Sequence, residues 1–242
     1  MGNGLRGLRV SMRELKDASS DMMWSFPFDA PADRPLAIGG DLSFERLLSA
    51  YAHGIFPWFD EPPILWWSPD PRMVLAPADI RINRSLDKIL RKTTFRVTFD
   101  TAFGAVIRAC SAPRRTQAGT WITSEMVVAY EALFAQGYAH SAECWLDGQL
   151  VGGLYGVALG GVFFGESMFS GVSNASKVAF VALTRTLEKR GFVLIDCQVP
   201  STHLASLGAT HMPRRDFLRI LQDAVHLPIA VDEWDTASRI RS

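Results

Sequence analysis

The stretch LIDCQVPSTHLASLGA, residues 194 to 209, runs from apolar residues into an acid, an amide and a histidine. A strand alternates faces with a period of two, so Asp196 and Gln198 are expected to project together while Cys197 points away. The carbonyl of Gln198 can hold an amine in line for attack, and Asp196 can orient it or draw its charge. The plainer alternative is that both cap the following helix or satisfy loop amides. A second acid lies in FFGESMFS, where alternation puts Phe164, Glu166 and Met168 on one face of a strand with apolar neighbours. An acid there is costly to bury unless paired. Either Lys177 or Arg185 pairs with it, or it serves a pocket that wants a positive charge. Together with Met168, Phe180 and Leu183, it suggests an apolar pocket with an acidic rim.

Two further features bear on binding. Trp58 in IFPWF and Trp121 in GTWIT sit in turns, where a ring left partly open can stack a nucleobase for roughly 1–3 kcal/mol. Trp66 and Trp67 read instead as plugs at a junction between structural units. Arg84, Lys88 and Arg91 form one helical stripe, with Arg81 and Lys92 nearby and Asp87 off it. The stripe is either a solvated helix face or a track for phosphates.

Other chemistries lack their residues. There is no G-x-S-x-G, no G-x-x-x-x-G-K and no G-x-G-x-x-G after a strand. His203 and His211 have no metal-like spacing, and Cys197 sits in apolar company where thiols stay protonated. The 25 basic and 25 acidic residues cancel, so a nucleic acid or membrane partner must be met by a local patch. Three widely spaced cysteines point to a reducing compartment without a disulfide frame. The start of the chain has no apolar signal segment, and the most apolar run, residues 150–165, is short and glycine-broken. The expectation is a cytoplasmic protein.

The elements that must position these residues follow from pattern. Residues 22–75 are rich in proline, tryptophan and turns around one short helix, SFERLLSAYAHG, with Ser43 as N-cap. Helices are predicted at 83–92, 101–110 and 124–136, and a strand at 94–100. Asp147-Gly148 marks a hairpin, and Gly160-Gly161 turns into a third strand. A helix from Asn174 to Gly191, a strand, a short helix, a short strand near ATHM and a last helix follow. The order predicts an α/β fold of mixed character, with helices packed on a mixed sheet. The predicted division is an unordered extension over 1–21, a small N-terminal α+β domain over 22–100 and a larger domain over 101–242.

Together, LAIGGDLSFERLLSAYAHGIFPWF, ILWWSPDPRMVL, GTWIT, LVGGLYGVALGGVFFGESMFS, NASKVA and LIDCQ…THLASLGA…PRRDFL resemble the leucyl/phenylalanyl-tRNA–protein transferase family. The resemblance runs from about Ser25 to Leu221. It implies an aminoacyltransferase that moves leucine or phenylalanine, and also methionine, from its tRNA to the α-amine of proteins beginning with arginine or lysine. Such tagging marks them for the N-degron pathway of bacteria. It implies an acetyltransferase-like (GNAT) larger domain, no metal, no coenzyme and a monomer. Trp58 and Trp121 would hold the terminal adenosine, and Arg81, Arg84, Lys88, Arg91 and Lys92 would meet the acceptor stem. Phe163, Met168, Phe180, Leu183 and Ile195 would line the side-chain pocket. Glu166 would face the cationic acceptor, with Asp196 and Gln198 as the catalytic pair. Acetyltransferase relatives grip coenzyme A with a Gln/Arg-x-x-Gly-x-Gly/Ala turn, which SGVSNAS here lacks, so a coenzyme-A-dependent N-acetyltransferase is disfavoured. A non-catalytic tRNA-binding module is the third reading, in which Asp196 has no work.

Overall fold

A computed structural model describes residues 16–17, 24–92, 94–112, 122–229 and 234. Within it, a small sheet joins β1 (Lys16–Asp17), β2 (Ala37–Ile38), β4 (Leu65–Trp67) and β3 (Phe56–Pro57), in that spatial order. Helix α1 (Phe44–Ala52) links β2 to β3 and ends where Gly54 takes φ +73°. A Cβ at Gly54 would come within 2.6 Å of Leu218, so the glycine serves both the turn and the packing of the last helix.

The large sheet has seven strands. They are β5 (Arg72–Leu75), β6 (Arg96–Phe99), β7 (Ala139–Leu146), β8 (Gln149–Leu159), β9 (Val162–Ser170), β10 (Leu194–Gln198) and β11 (Thr210–Met212). Their spatial order is β11-β5-β10-β9-β8-β7-β6. Only β9 and β10 run parallel, joined by the crossover helix α5 (Ala175–Lys189). The predicted hairpin forms at Asp147 and Gly148, with φ 49° and 77°, the backbone its twist requires. The remaining helices are α2 (Arg84–Arg91), α3 (Phe103–Ser111), α4 (Ser124–Ala135), α6 (Thr202–Ala205) and α7 (Arg214–Ala224). The result is the expected mixed α/β fold with a small N-terminal unit.

Several expectations change in detail. The side chains of Asn83, Thr123 and Ser201 cap their helices, whereas Ser43 and Asn174 make no side-chain cap bond. The division near residue 100 separates stretches that share one sheet, since β5 and β6 both run in the large one. Of the 1–21 extension only Lys16–Asp17 is described, as a strand parallel to Ala37–Ile38. No described helix is long and apolar enough to cross a membrane.

Strand alternation splits the core between the two faces of the large sheet. Val162, Phe164, Leu194 and Val74 join one cluster, under α1, α3, α4 and α7. Phe163, Ile195, Cys197 and Leu75 join the other, under α2 and α5. Arg214, buried, ties α7 to the small unit by donating to the carbonyls of Ala30, Pro31 and Ser68.

One irregularity sets the aim of a polar side chain. Tyr155 pairs with Ser167 but Gly156 pairs with Gly165, so Glu166 is the extra residue of a bulge in β9. The close approach leaves no room on the facing strand, where a Cβ at Gly156 would lie 2.2 Å from the Phe164 carbonyl oxygen. Gly156→Ala is therefore expected to cost about 1–3 kcal/mol through overpacking. Thermal unfolding would check this, and an unchanged midpoint would refute it.

Candidate active site

Three elements converge on Glu166 of β9. Tyr51 of α1 donates to Oε1 at 2.7 Å, and Tyr130 of α4 donates to Oε2 at 3.0 Å. The two phenol oxygens lie 2.5 Å apart. Gln198 of β10 donates from Nε2 to Oε1 at 2.8 Å. The partners are all neutral, so neither Lys177 nor Arg185 neutralises this acid. Burial pushes the Glu166 carboxyl up to about 7, opposed by those three hydrogen bonds and reinforced by nearby Asp196. Burial and the same carboxylate hold both phenols well above their usual range.

Asp196 is engaged differently. Arg72 of β5 donates to it from Nε at 2.8 Å and from Nη2 at 2.6 Å, a bidentate pair with both side chains fully buried. The guanidinium lies between the rings of Phe56 and Phe217, 4.8 and 4.7 Å from their centroids. One ion pair thus holds the small unit, the large sheet and α7 together. Asp196 Oδ1 also accepts the backbone N–H of Gln198 at 2.9 Å, and Gln198 sits at φ 63° after a register shift in β10. The side-by-side projection expected from alternation is replaced by this turn. The Asp196 carboxylate faces Arg72, and the Gln198 amide faces Glu166. Neither caps α6, whose N-terminus Ser201 serves.

The parallel ladder between β9 and β10 ends at Phe164 opposite Asp196. Beyond that rung the ladder stops, and the Gln198–Glu166 hydrogen bond links the two strands. Phe163, Phe180, Leu183 and Ile195 lie buried in one cluster on the α5 side, with half-buried Met168 packed against it. The bulge separates Met168 from Glu166, contrary to the expected single face. Cys197 lies on the apolar side, its thiol pushed up by burial.

Trp58 is half-buried, its ring 5.4 Å from that of Trp67. Trp121 lies outside the described residues. Trp66 and Trp67 are core, as a junction plug requires. Arg81, Arg84, Lys88, Arg91 and Lys92 are all exposed on or beside α2, whose Leu86 and Leu90 pack inward. Arg91 also pairs with Asp87 at 3.0 Å one turn earlier, an exposed contact. Three site residues escaped the sequence reading. Neither Tyr51 nor Tyr130 carries a local signal beyond its place in a helix, whereas Arg72 carries one in the arginine that opens the apolar run RMVL.

Known proteins show the family of this chain. The sequence profile described as leucyl/phenylalanyl-tRNA protein transferase matches residues 74–222, and that of its N-terminal domain matches residues 40–70. A leucyl/phenylalanyl-tRNA–protein transferase of Nitrosospira multiformis is 59% identical over 200 residues, covering 82% of this chain and 86% of that protein. Those of Thiobacillus denitrificans and Syntrophotalea carbinolica are 60% and 62% identical, over 82% and 78% of this chain and 88% and 83% of theirs. Among solved structures, L-PGS from Bacillus licheniformis is 11% identical at a TM-score of 0.41, over 67% of this chain and 54% of that one. A GCN5-related N-acetyltransferase from Kribbella flavida reaches 0.32 at 14% identity, over 69% and 59%. Likeness at those scores is loose, whereas the sequence relatives are close over most of their length. The chain belongs to the leucyl/phenylalanyl-tRNA protein transferase family and is an aminoacyltransferase.

Proposed function

We propose that this enzyme moves leucine, phenylalanine or methionine from its tRNA ester to the α-amine of proteins that begin with arginine or lysine, marking them for N-degron degradation. On this reading it works in the cytoplasm as a monomer. The observation that carries the reading is Glu166, a buried carboxyl group beside the end of the β9–β10 ladder whose hydrogen-bond partners are all neutral. An acceptor with a positive charge supplies what that site lacks.

The chemistry needs orientation more than activation. The acceptor nitrogen attacks the ester carbonyl, the bond to the tRNA ribose oxygen breaks, and a proton from nitrogen ends on that oxygen. Gln198 stands between the two halves of the site, and its carbonyl holds the attacking amine in line. Asp196, fully buried with both oxygens occupied, acts as a positioning residue that fixes the turn at Gln198. Phe163, Met168, Phe180, Leu183 and Ile195 receive an unbranched or γ-branched side chain, and Trp58 with Trp121 stacks the terminal adenosine.

The first test is transfer of labelled leucine from Leu-tRNA to peptides starting with arginine or glycine, without acetyl-CoA. Labelling of the arginine peptide alone is expected, and labelling of neither would remove the reading. A second test addresses α2. Arg84→Ala and Lys88→Ala are each expected to lower the salt slope of tRNA binding by about 1, as loss of one phosphate contact does. Unchanged slopes would return the stripe to a solvated face.

A further inference from the structure

Three oxygen contacts close a ring at the β9 bulge: Tyr51 to Tyr130 at 2.5 Å, Tyr51 to Glu166 Oε1 at 2.7 Å, and Tyr130 to Glu166 Oε2 at 3.0 Å. Contacts of this length each call for a proton, and a phenol carries one. With Glu166 ionised, two phenol protons must cover three contacts. If both turn to the carboxylate, the phenol oxygens face each other at 2.5 Å with lone pairs alone. If one bridges the phenols, one contact still sets a phenol lone pair against a carboxylate oxygen, Tyr130 against Oε2 or Tyr51 against Oε1 according to which phenol donates. Such a contact in a buried site is costly.

A third proton, on Oε2, removes the conflict. The carboxyl O–H then donates to Tyr130, Tyr130 donates to Tyr51, and Tyr51 donates to Oε1, which also accepts from Gln198. Every contact is filled and the direction is consistent around the ring. The titratable and charged groups around it are Tyr51 on α1, Tyr130 on α4, Tyr155 on β8 and Asp196 on β10. Asp196 is matched by Arg72 on β5, which leaves no positive charge among the described residues to hold Glu166 ionised.

We propose that Glu166 carries a proton in the free enzyme and releases it to solvent when the cationic acceptor binds, so that acceptor capture and loss of one proton are a single event. This rests on the reading that Glu166 faces the acceptor. Once the cation arrives, the carboxylate is matched from outside the ring, and the acceptor's own N–H groups supply the donor that the ionised ring lacks. Burial works in the same direction, holding the carboxyl up to about 7 in the empty site. Below that titration, acceptor affinity rises about tenfold for each pH unit, and above it the affinity is level.

Two measurements test the proposal with the full chain. The first is infrared spectroscopy of the free protein at about pH 6, below the titration. The stretch of a protonated carboxylic C=O should be present and should vanish in Glu166→Gln. Glutamine keeps the ring, since its amide donates to Tyr130 and its carbonyl accepts from Tyr51, so the variant folds. The second is calorimetry of a peptide starting with arginine, in two buffers of different ionisation enthalpy. Wild-type protein should release about one proton more per peptide than Glu166→Gln near pH 6, and the difference should close well above pH 7. Release from the peptide's own amine is common to both proteins and cancels. An absent band overturns the proton in the ring. A present band with equal proton release overturns the coupling. If the peptide binds neither protein, the acceptor assignment and the coupling fall together, while the band still judges the ring by itself.

Discussion

Asp196→Ala is expected to cost about 3–5 kcal/mol of folding stability, the loss that follows from breaking a buried ion pair on one side. The guanidinium of Arg72 is fully buried between Phe56 and Phe217, and Asp196 is its sole charged partner among the described residues. Its removal leaves a cation with no route to water and also frees the N–H that holds Gln198 at its left-handed turn. Replacing both partners, as in Arg72→Met with Asp196→Leu, removes the charge and its desolvation together. The double variant should recover most of the loss. Urea unfolding of the single and double variants at neutral pH measures this. A single variant that loses less than about 1 kcal/mol would place Asp196 among exposed, weakly coupled acids and sink the argument.

Glu166→Gln is expected to do the opposite, stabilising the protein by about 3 kcal/mol near pH 8. The carboxyl is raised from 4.5 to about 7 in the folded state by burial, with the hydrogen bonds of Tyr51, Tyr130 and Gln198 opposing. Between those values the folded chain keeps a proton that the unfolded chain has lost. Wild-type stability therefore falls as pH rises from 4.5 through about 7, and is level above. Glutamine does not titrate and fits the same ring, so the curves of variant and wild type should meet near pH 4.5 and separate as pH rises. Thermal unfolding across that range reads it out. A variant less stable than wild type at every pH would mean that an ionised Glu166 is the form the fold prefers. Transfer to an arginine peptide should fall in the same variant, which would then be more stable and less active.

Much of the architecture was legible from local signals. Asp147-Gly148 specified its hairpin because the turn needs two residues with positive φ. The apolar spacing of α2 specified which face packs inward and which carries Arg84 and Lys88. The placement of Glu166 in an apolar strand was enough to mark it as a residue that must be satisfied or used. What failed was strict alternation. A bulge in β9 and a register shift in β10 each insert a residue, so Met168 left the face of Glu166 and Gln198 turned away from Asp196.

Residue type and period were thus sufficient for the elements, their stops and the acids worth watching, because those depend on neighbours a few positions away. The partners of the acids were a matter for the folded chain alone. Tyr51 meets Tyr130 across 79 positions and Glu166 across 115, and Arg72 meets Asp196 across 124. No local pattern encodes such a meeting. It arises when α1 and α4 pack on one side of the sheet that holds β5, β9 and β10, where desolvation makes each polar group take whichever partner that packing supplies.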